Sequence, residues 1–299
     1  MGRRLIAVSL VCLFVGASAP GSIDVRHGSC GPRHALRVAA RGLEPYAPSA
    51  AEIERMETDF RRRLAAVERS KPRRRAPRII VQTWVHVITA KGTGASTAAV
   101  KQQLATLNAA YGGRLGGADT GVRFRLAGIT RTENAEWFRD PLAHEEALKR
   151  ALRRGGPETL NLYLAEPGEV VLGYSTYPYQ YAAAPVLDGV VIDWRTLPGG
   201  TIPHFDRGMT GVHEIGHWLG LLHTFENGCE EPGDYVDDTP PEAVATNGCP
   251  RHKDTCPAPG EDPVHNFMDY SHDRCMTHFT PGQAARIRQM WLAYRASAR

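Results

Sequence analysis

The sequence contains a single long apolar run, and it lies at the amino terminus. Leu5 to Val15 supplies eleven residues, whereas a helix needs about 20 to cross a bilayer. No later stretch is long enough to span, so no stable membrane association is expected. Arg3 and Arg4 precede the run and Ala17-Ser18-Ala19 follow it, the order of an export signal over residues 1–19. A secreted, extracellular protein is therefore expected. Cys12 lies inside the run without the small residue that a lipid-anchoring signal places before it, so it departs with the signal. Internal repeats and low-complexity tracts are also missing, which excludes a repeat architecture.

A basic surface is the next absence. The net charge of +4 belongs to the leader: residues 1–78 hold 16 Lys/Arg against 7 Asp/Glu, leaving 20 basic and 25 acidic residues in 79–299. A nucleic-acid partner is thus not expected. Cysteines are few. Five remain after the signal, with Cys229, Cys249, Cys256 and Cys275 clustered and Cys30 alone. In an exported chain four clustered cysteines suggest two disulfides, and three pairings are open.

The apolar fraction of 42% is enough for a buried core. The length of 299 residues suits one large catalytic domain with leader segments, or two ordinary domains. Residues 20–78 read as a propeptide. Ser49 caps a helix with Glu52 completing a capping box, and Ile53, Met56, Phe60, Leu64 and Val67 recur at helical spacing. The helix ends in a stretch from Lys71 to Arg78 whose prolines stop it. Exposed basic segments are sites of proteolytic nicking; a solvated linker between domains is the alternative. From Ile79 the texture changes. Ile79–Ile88 reads as a buried strand, Ser96 caps a helix facing inward with Val100, Leu104, Leu107 and Tyr111, and further strands are expected at 122–129, 159–164 and 189–193, with a short helix over 144–154. Alternating strands and helices give a mixed α/β sheet layer over domain 79–299.

The chemistry is concentrated in His213-Glu214-Ile215-Gly216-His217-Trp218-Leu219-Gly220-Leu221-Leu222-His223. Residues four apart on a helix share a face, so His213 and His217 can reach one zinc. Gly220 permits positive φ, which turns His223 back as a third ligand. Three histidines leave one position open, the arrangement of a catalytic zinc site. Glu214, beside the first ligand, is the natural general base and later the acid toward the leaving amine. Ordinary core histidines are the bland alternative, and a zinc-binding but inactive relative the better one. Downstream, Asn266-Phe267-Met268-Asp269-Tyr270 fits a methionine turn, with the Met268 thioether beneath the histidines. The Tyr270 phenol can approach the zinc or stabilise an oxyanion.

With these motifs the chain resembles the pappalysin family of metzincins, in particular its small secreted microbial members. The likeness runs from about Ile79 to Met290 and also rests on Leu172-Gly173-Tyr174-Ser175, Leu187-Asp188-Gly189-Val190-Val191, Leu197-Pro198-Gly199-Gly200 and Asp237-Asp238-Thr239-Pro240. The resemblance implies an α+β metzincin fold: a twisted mixed five-stranded sheet, an active-site helix and an irregular disulfide-tied lower subdomain. It implies the pairings Cys229–Cys256 and Cys249–Cys275. Substrate would lie in the cleft and pair with an edge strand near Leu172–Tyr174. Asp273 would line a pocket for arginine just after the scissile bond; a turn-capping aspartate is the alternative. Cys30 would be a latency ligand to zinc, or else an ordinary thiol. The acidic loop suits calcium, with Asp234, Asp237 and Thr239 as candidate ligands. Finally, Thr280 and Pro281 open a closing helix with Gln283 in a capping box.

The expected protein is a monomeric, secreted zinc-dependent endopeptidase acting on proteins or peptides and made as a zymogen. A catalytically silent zinc-containing peptide-binding module, and a hydrolase of a non-peptide amide, are the alternatives.

Overall fold

The computed structural model describes residues 44–70, 78–168 and 171–296. The signal, Cys30 and the basic stretch 71–77 lie outside the described residues. A continuous β-branched and aromatic run makes Ile79–Thr89 the first strand, β1. It lies inside the sheet, pairing in parallel with β2 (Val122–Glu133) on one side and β3 (Thr159–Ala165) on the other. Every residue of β3 is buried, as expected of a parallel strand covered on both faces. β5 (Val190–Asp193) continues the parallel set, and β4 (Gly173–Ser175) closes it antiparallel, giving the order β2-β1-β3-β5-β4. The mixed five-stranded sheet and its edge strand near Tyr174 agree with expectation. β2 runs beyond 129 because its outer half keeps pairing with β1 as far as Thr89 and Glu133.

Helix α1 spans Ala50–Ser70, α2 Thr97–Ala110, α3 Ala135–Arg139 and α4 Glu145–Leu152. The α2 cap is as expected: Ser96 Oγ accepts from Ala99 N at 3.1 Å. Its inward side chains Val100, Leu104 and Leu107, with Tyr111, are buried. Tyr111 Oη then donates to Val212 O at 2.9 Å, docking α2 against α5 (Met209–Trp218). All ten residues of α5 are buried, so this helix, which carries the histidine motif, is wedged between the sheet and the lower half.

Beyond Trp218 the chain has no long regular element until α6 (Pro281–Met290). Disulfides Cys229–Cys256 and Cys249–Cys275 cross-link this irregular part, with the pairing that the resemblance implied. Restricting the unfolded chain in this way is worth about 2–4 kcal/mol per bridge. At α6 the expected capping box is present: Thr280 Oγ1 accepts from Gln283 N and Gln283 Oε1 accepts from Thr280 N, both at 3.0 Å. A π-helical turn, Trp291–Arg295, follows. There the Arg295 guanidinium lies 3.5 Å over the Trp218 ring and pairs with Asp188 at 3.1 Å, fixing the end of α5.

Helix α1 is entered from Ser49, whose N–H donates to Glu52 Oε2 at 2.9 Å. Ile53 and Met56 bury against Tyr177 and Leu222. Glu57 forms a buried two-pronged ion pair with Arg286 of α6, and Arg286 Nε donates to Gly220 O at 2.9 Å. Tyr294 Oη donates to Asp59 at 2.9 Å. Removing one partner of a buried ion pair costs about 3–5 kcal/mol, because the remaining charge keeps no counterion. Glu57→Ala is therefore expected to lower the stability of the intact chain by that amount, read as a fall in denaturant midpoint at unchanged slope.

Candidate metal centre

Three imidazoles converge where α5 meets the loop after it. His213 and His217 sit one turn apart on α5. Gly220, at φ +95°, breaks the helix and returns the chain so that His223 joins them. A Cβ at Gly220 would lie 2.5 Å from Met290 Cγ, so both the turn and the packing require glycine. The Nε2 atoms of His213 and His223 each lie 3.1 Å from that of His217, and all three rings are buried.

The far side of each α5 ring explains these contacts. His213 Nδ1 lies 2.7 Å from Phe267 O, and His217 Nδ1 lies 2.8 Å from Leu221 O. A carbonyl can only accept, so both Nδ1 atoms carry the proton and both Nε2 atoms present lone pairs. Burial pushes the His213 imidazole down to about 3, despite the Glu44 carboxylate beside it. It is neutral, the form that binds a metal. Lone pairs facing one another at 3.1 Å form no hydrogen bond; a cation between them resolves the repulsion. Nitrogens bound tetrahedrally at about 2.0–2.1 Å would stand about 3.4 Å apart, so the residues present fit zinc.

Met268, Tyr270 and Glu214 lie on or against α5 and the loop after it. Met268 is fully buried under α5, and a Cβ at Gly216 would come within 2.4 Å of its sulfur. Gly216 is thus the gap in the histidine motif that the thioether fills. The turn is held from outside: Asn266 Oδ1 accepts from Met268 N at 2.9 Å, and its amide exchanges hydrogen bonds with Gln283 of α6 at 2.9 and 3.0 Å. Tyr270 Oη lies 3.1 Å from His223 Nε2. Glu214 is buried and lies against the edge strand, where a Cβ at Gly173 would meet its Cγ at 2.8 Å.

Other expected residues lie elsewhere. Asp273 is buried beside the start of α5, its Oδ2 accepting from Arg207 N at 2.8 Å and Met209 N at 3.3 Å. Asp234 is buried in the disulfide-tied loop and accepts from Val236 N at 3.0 Å, whereas Asp237 is exposed.

Two residues at the centre carry no sequence signal. Tyr177 Oη lies 2.9 Å from His217 Nδ1, sharing that proton with Leu221 O. Glu44 enters from before α1. Its Oε1 lies 3.1 Å from the Nε2 atoms of both His213 and His223 and 3.2 Å from Tyr270 Oη. Its Oε2 lies 3.2 Å from His217 Nε2. Among the described residues these four are the one group of such ligands close enough to share an ion.

Comparison with known proteins gives this arrangement its family. The profile described as pregnancy-associated plasma protein-A, of peptidase family M43, matches residues 173–292. An extracellular metalloprotease of Pyricularia oryzae is 47% identical over 227 residues, covering 73% of this chain and 77% of the relative. One from Verticillium alfalfae is 42% identical over 275 residues, covering 88% and 94%. The chain belongs to the pappalysin family. Solved structures agree: promirolysin from Tannerella forsythia superposes with a TM-score of 0.69 at 25% identity, covering 83% of this chain and 90% of that one. Mature mirolysin in complex with a cleaved peptide superposes at 0.64 and 28% identity, covering 72% and 92%. As a pappalysin the protein is a zinc metalloendopeptidase of metzincin fold, and His213, His217 and His223 are the residues that fit its zinc.

Tyr177 is a side chain that meets a ligand ring from outside, 2.9 Å from His217 Nδ1. Removing such a partner costs about 10–100-fold in metal affinity. Because Leu221 O remains on the same nitrogen, Tyr177→Phe is expected at the low end, about tenfold, measured by zinc competition against a chelating dye.

Proposed function

We propose that the protein is a secreted endopeptidase, made as a precursor, that cuts peptides and proteins on the amino side of arginine. The observation that carries the reading is the convergence of three imidazole Nε2 atoms beside buried Glu214, with an edge strand alongside. Zinc held there would supply Lewis acidity at the scissile carbonyl and make the attacking water more acidic. The protein groups do the rest. β4 offers its outer edge to an extended substrate backbone. Glu214 takes the proton of the attacking water and returns it to the leaving amine. Tyr270 donates its hydroxyl to the carbonyl oxygen as that oxygen gains negative charge.

Secretion is supported by the signal pattern of residues 1–19 and by relatives named extracellular metalloproteases. A precursor form is supported by the helix α1 seated beside the metal centre, followed by the basic stretch up to Arg78. The arginine preference is supported by the buried carboxylate of Asp273, on the loop that continues from the methionine turn. Calcium is proposed at Asp234, Asp237 and Thr239. Burial pushes the Asp234 carboxyl up to about 7, against the pull of Arg286, as in a carboxyl that would gain from a bound cation.

Peptides released from an unfolded protein by the processed enzyme, identified by mass spectrometry with and without a zinc chelator, test the reading. Chelator-sensitive cuts before arginine are expected. Cuts elsewhere would keep the protease and discard the Asp273 pocket, and no cuts would favour a silent peptide-binding module. Glu214→Ala is expected to lower turnover by at least about 100-fold while retaining one zinc per chain. For calcium, millimolar addition is expected to raise the melting temperature of the native chain but not of Asp234→Asn; an equal rise in both would remove the site.

A further inference from the structure

We propose that Glu145 and Tyr174 form a substrate subsite on the outer face of the β4 edge, built to take a tyrosine side chain at one fixed distance from the scissile bond. The inference rests on the reading of the protein as an endopeptidase whose substrate lies along β4. It adds a second selectivity, remote from the metal, to the one assigned to Asp273.

A peptide that joins the edge of β4 must continue the alternation of the sheet. Paired residues of neighbouring strands share a face, and successive residues change face. Tyr163 of β3 pairs with Val191 of β5, and Val191 with Tyr174 of β4. All three side chains belong to one buried cluster with Ile88, Phe138 and Leu148. Gly173 has the opposite face, since a Cβ there would meet Glu214 Cγ at 2.8 Å. Neighbouring side chains of a bound peptide therefore fall alternately on the side of Glu214 and on the side of Tyr174. The row Tyr163, Val191, Tyr174 ends at the sheet edge, so its next member comes from whatever lies along β4.

The chemistry at the end of that row is specific. Glu145 and Lys149 of α4 form a buried ion pair at 2.6 Å, and Lys149 Nζ also donates to Leu187 O at 2.6 Å. The ammonium lies 5.6 Å and 5.9 Å from the ring centroids of Tyr163 and Tyr174, which ties the pair to the row. The second carboxylate oxygen of Glu145 accepts the hydroxyl of Tyr46. The Tyr46 ring is tilted 59° against that of Tyr174, with centroids 5.8 Å apart. Three conditions follow for an occupant. Tyr174 favours an aromatic ring as its neighbour. The carboxylate needs a donor, because a buried acceptor without one is costly. Lys149 already balances the charge of Glu145, so an arginine or lysine would set an uncompensated cation against the ammonium, and a neutral donor fits best. Tyrosine, with its donor at the far end of the ring, meets all three. Tyr46 belongs to the segment read as the leader of the precursor. On its departure the carboxylate oxygen loses this donor, and the place beside Tyr174 falls to substrate.

Short peptides read this subsite directly. Processed, zinc-loaded enzyme is given arginine-containing peptides with tyrosine, phenylalanine or alanine placed in turn at each position on either side of the arginine, and the products are identified by mass spectrometry. At one position relative to the cut, tyrosine is expected to raise kcat/KM about tenfold over phenylalanine, the worth of one hydrogen bond to a charged acceptor. Phenylalanine is expected to exceed alanine there. In Glu145→Met/Lys149→Met, which removes both charges, the tyrosine-to-phenylalanine ratio is expected to fall to about one. The ratio is taken within each variant, so a change in overall activity cancels. Should the double variant not fold, Glu145→Gln keeps the shape, and its ratio is expected to drop at least about threefold, since a neutral acceptor makes a weaker bond. Equal rates for tyrosine and phenylalanine at every position of the unsubstituted enzyme overturn the proposal, and so does a preference that survives both substitutions unchanged. If no peptide is cut, the Kd of the same set is measured on the processed Glu214→Ala chain loaded with zinc. A tighter Kd for tyrosine than for phenylalanine, lost on substitution of Glu145, would drop the protease reading and keep the subsite; equal Kd values would drop both.

Discussion

Two carbonyl oxygens, those of Phe267 and Leu221, decide which nitrogen of each α5 imidazole can meet a metal. Each takes the Nδ1 proton of one ring and so turns the Nε2 lone pair inward. Phe267 belongs to the methionine turn and Leu221 to the return after Gly220. The metal centre therefore depends on two segments that have no regular structure of their own. An error in either would rotate a ring or shift its proton, and three donors would no longer converge.

This dependence accounts for how heavily the lower half is braced. Hydrogen bonds within a helix are local and form readily, but a turn has few of its own. Here the methionine turn borrows stability from α6 through the paired amides of Asn266 and Gln283. The Gly220 return borrows it through Arg286, and the end of α5 through Arg295 over Trp218. Two disulfides restrict the loop between. The closing helix is thus less a cap on the molecule than the support on which the irregular half leans.

Much of this was legible in the sequence. Helical spacing placed His213 and His217 on one face, a glycine in the required place gave His223, and β-branched runs located the central strands. Capping boxes marked the starts of α1 and α6. These signals are local, spanning a few residues of chain. The illegible part is what distant segments do on meeting. Glu44 lies 169 residues before His213, and Tyr177 lies 40 before His217, with no spacing rule to link them. Gly173 and Gly216 were visible as letters of motifs, but their purpose, leaving room for Glu214 and Met268, exists only in three dimensions. Strand ends were misjudged because pairing with β1 rather than intrinsic preference sets where β2 stops.

The seating of α1 has a consequence for the order in which the molecule can be assembled. Ile53 and Met56 rest on Tyr177 and Leu222, Glu57 on Arg286 and Asp59 on Tyr294. The last two pairs join residues 229 and 235 apart in sequence. Contacts of such span form slowly, because a long loop must close before they reward it. A helix near the start of the chain therefore has nothing to rest on until the closing segment has found its own place.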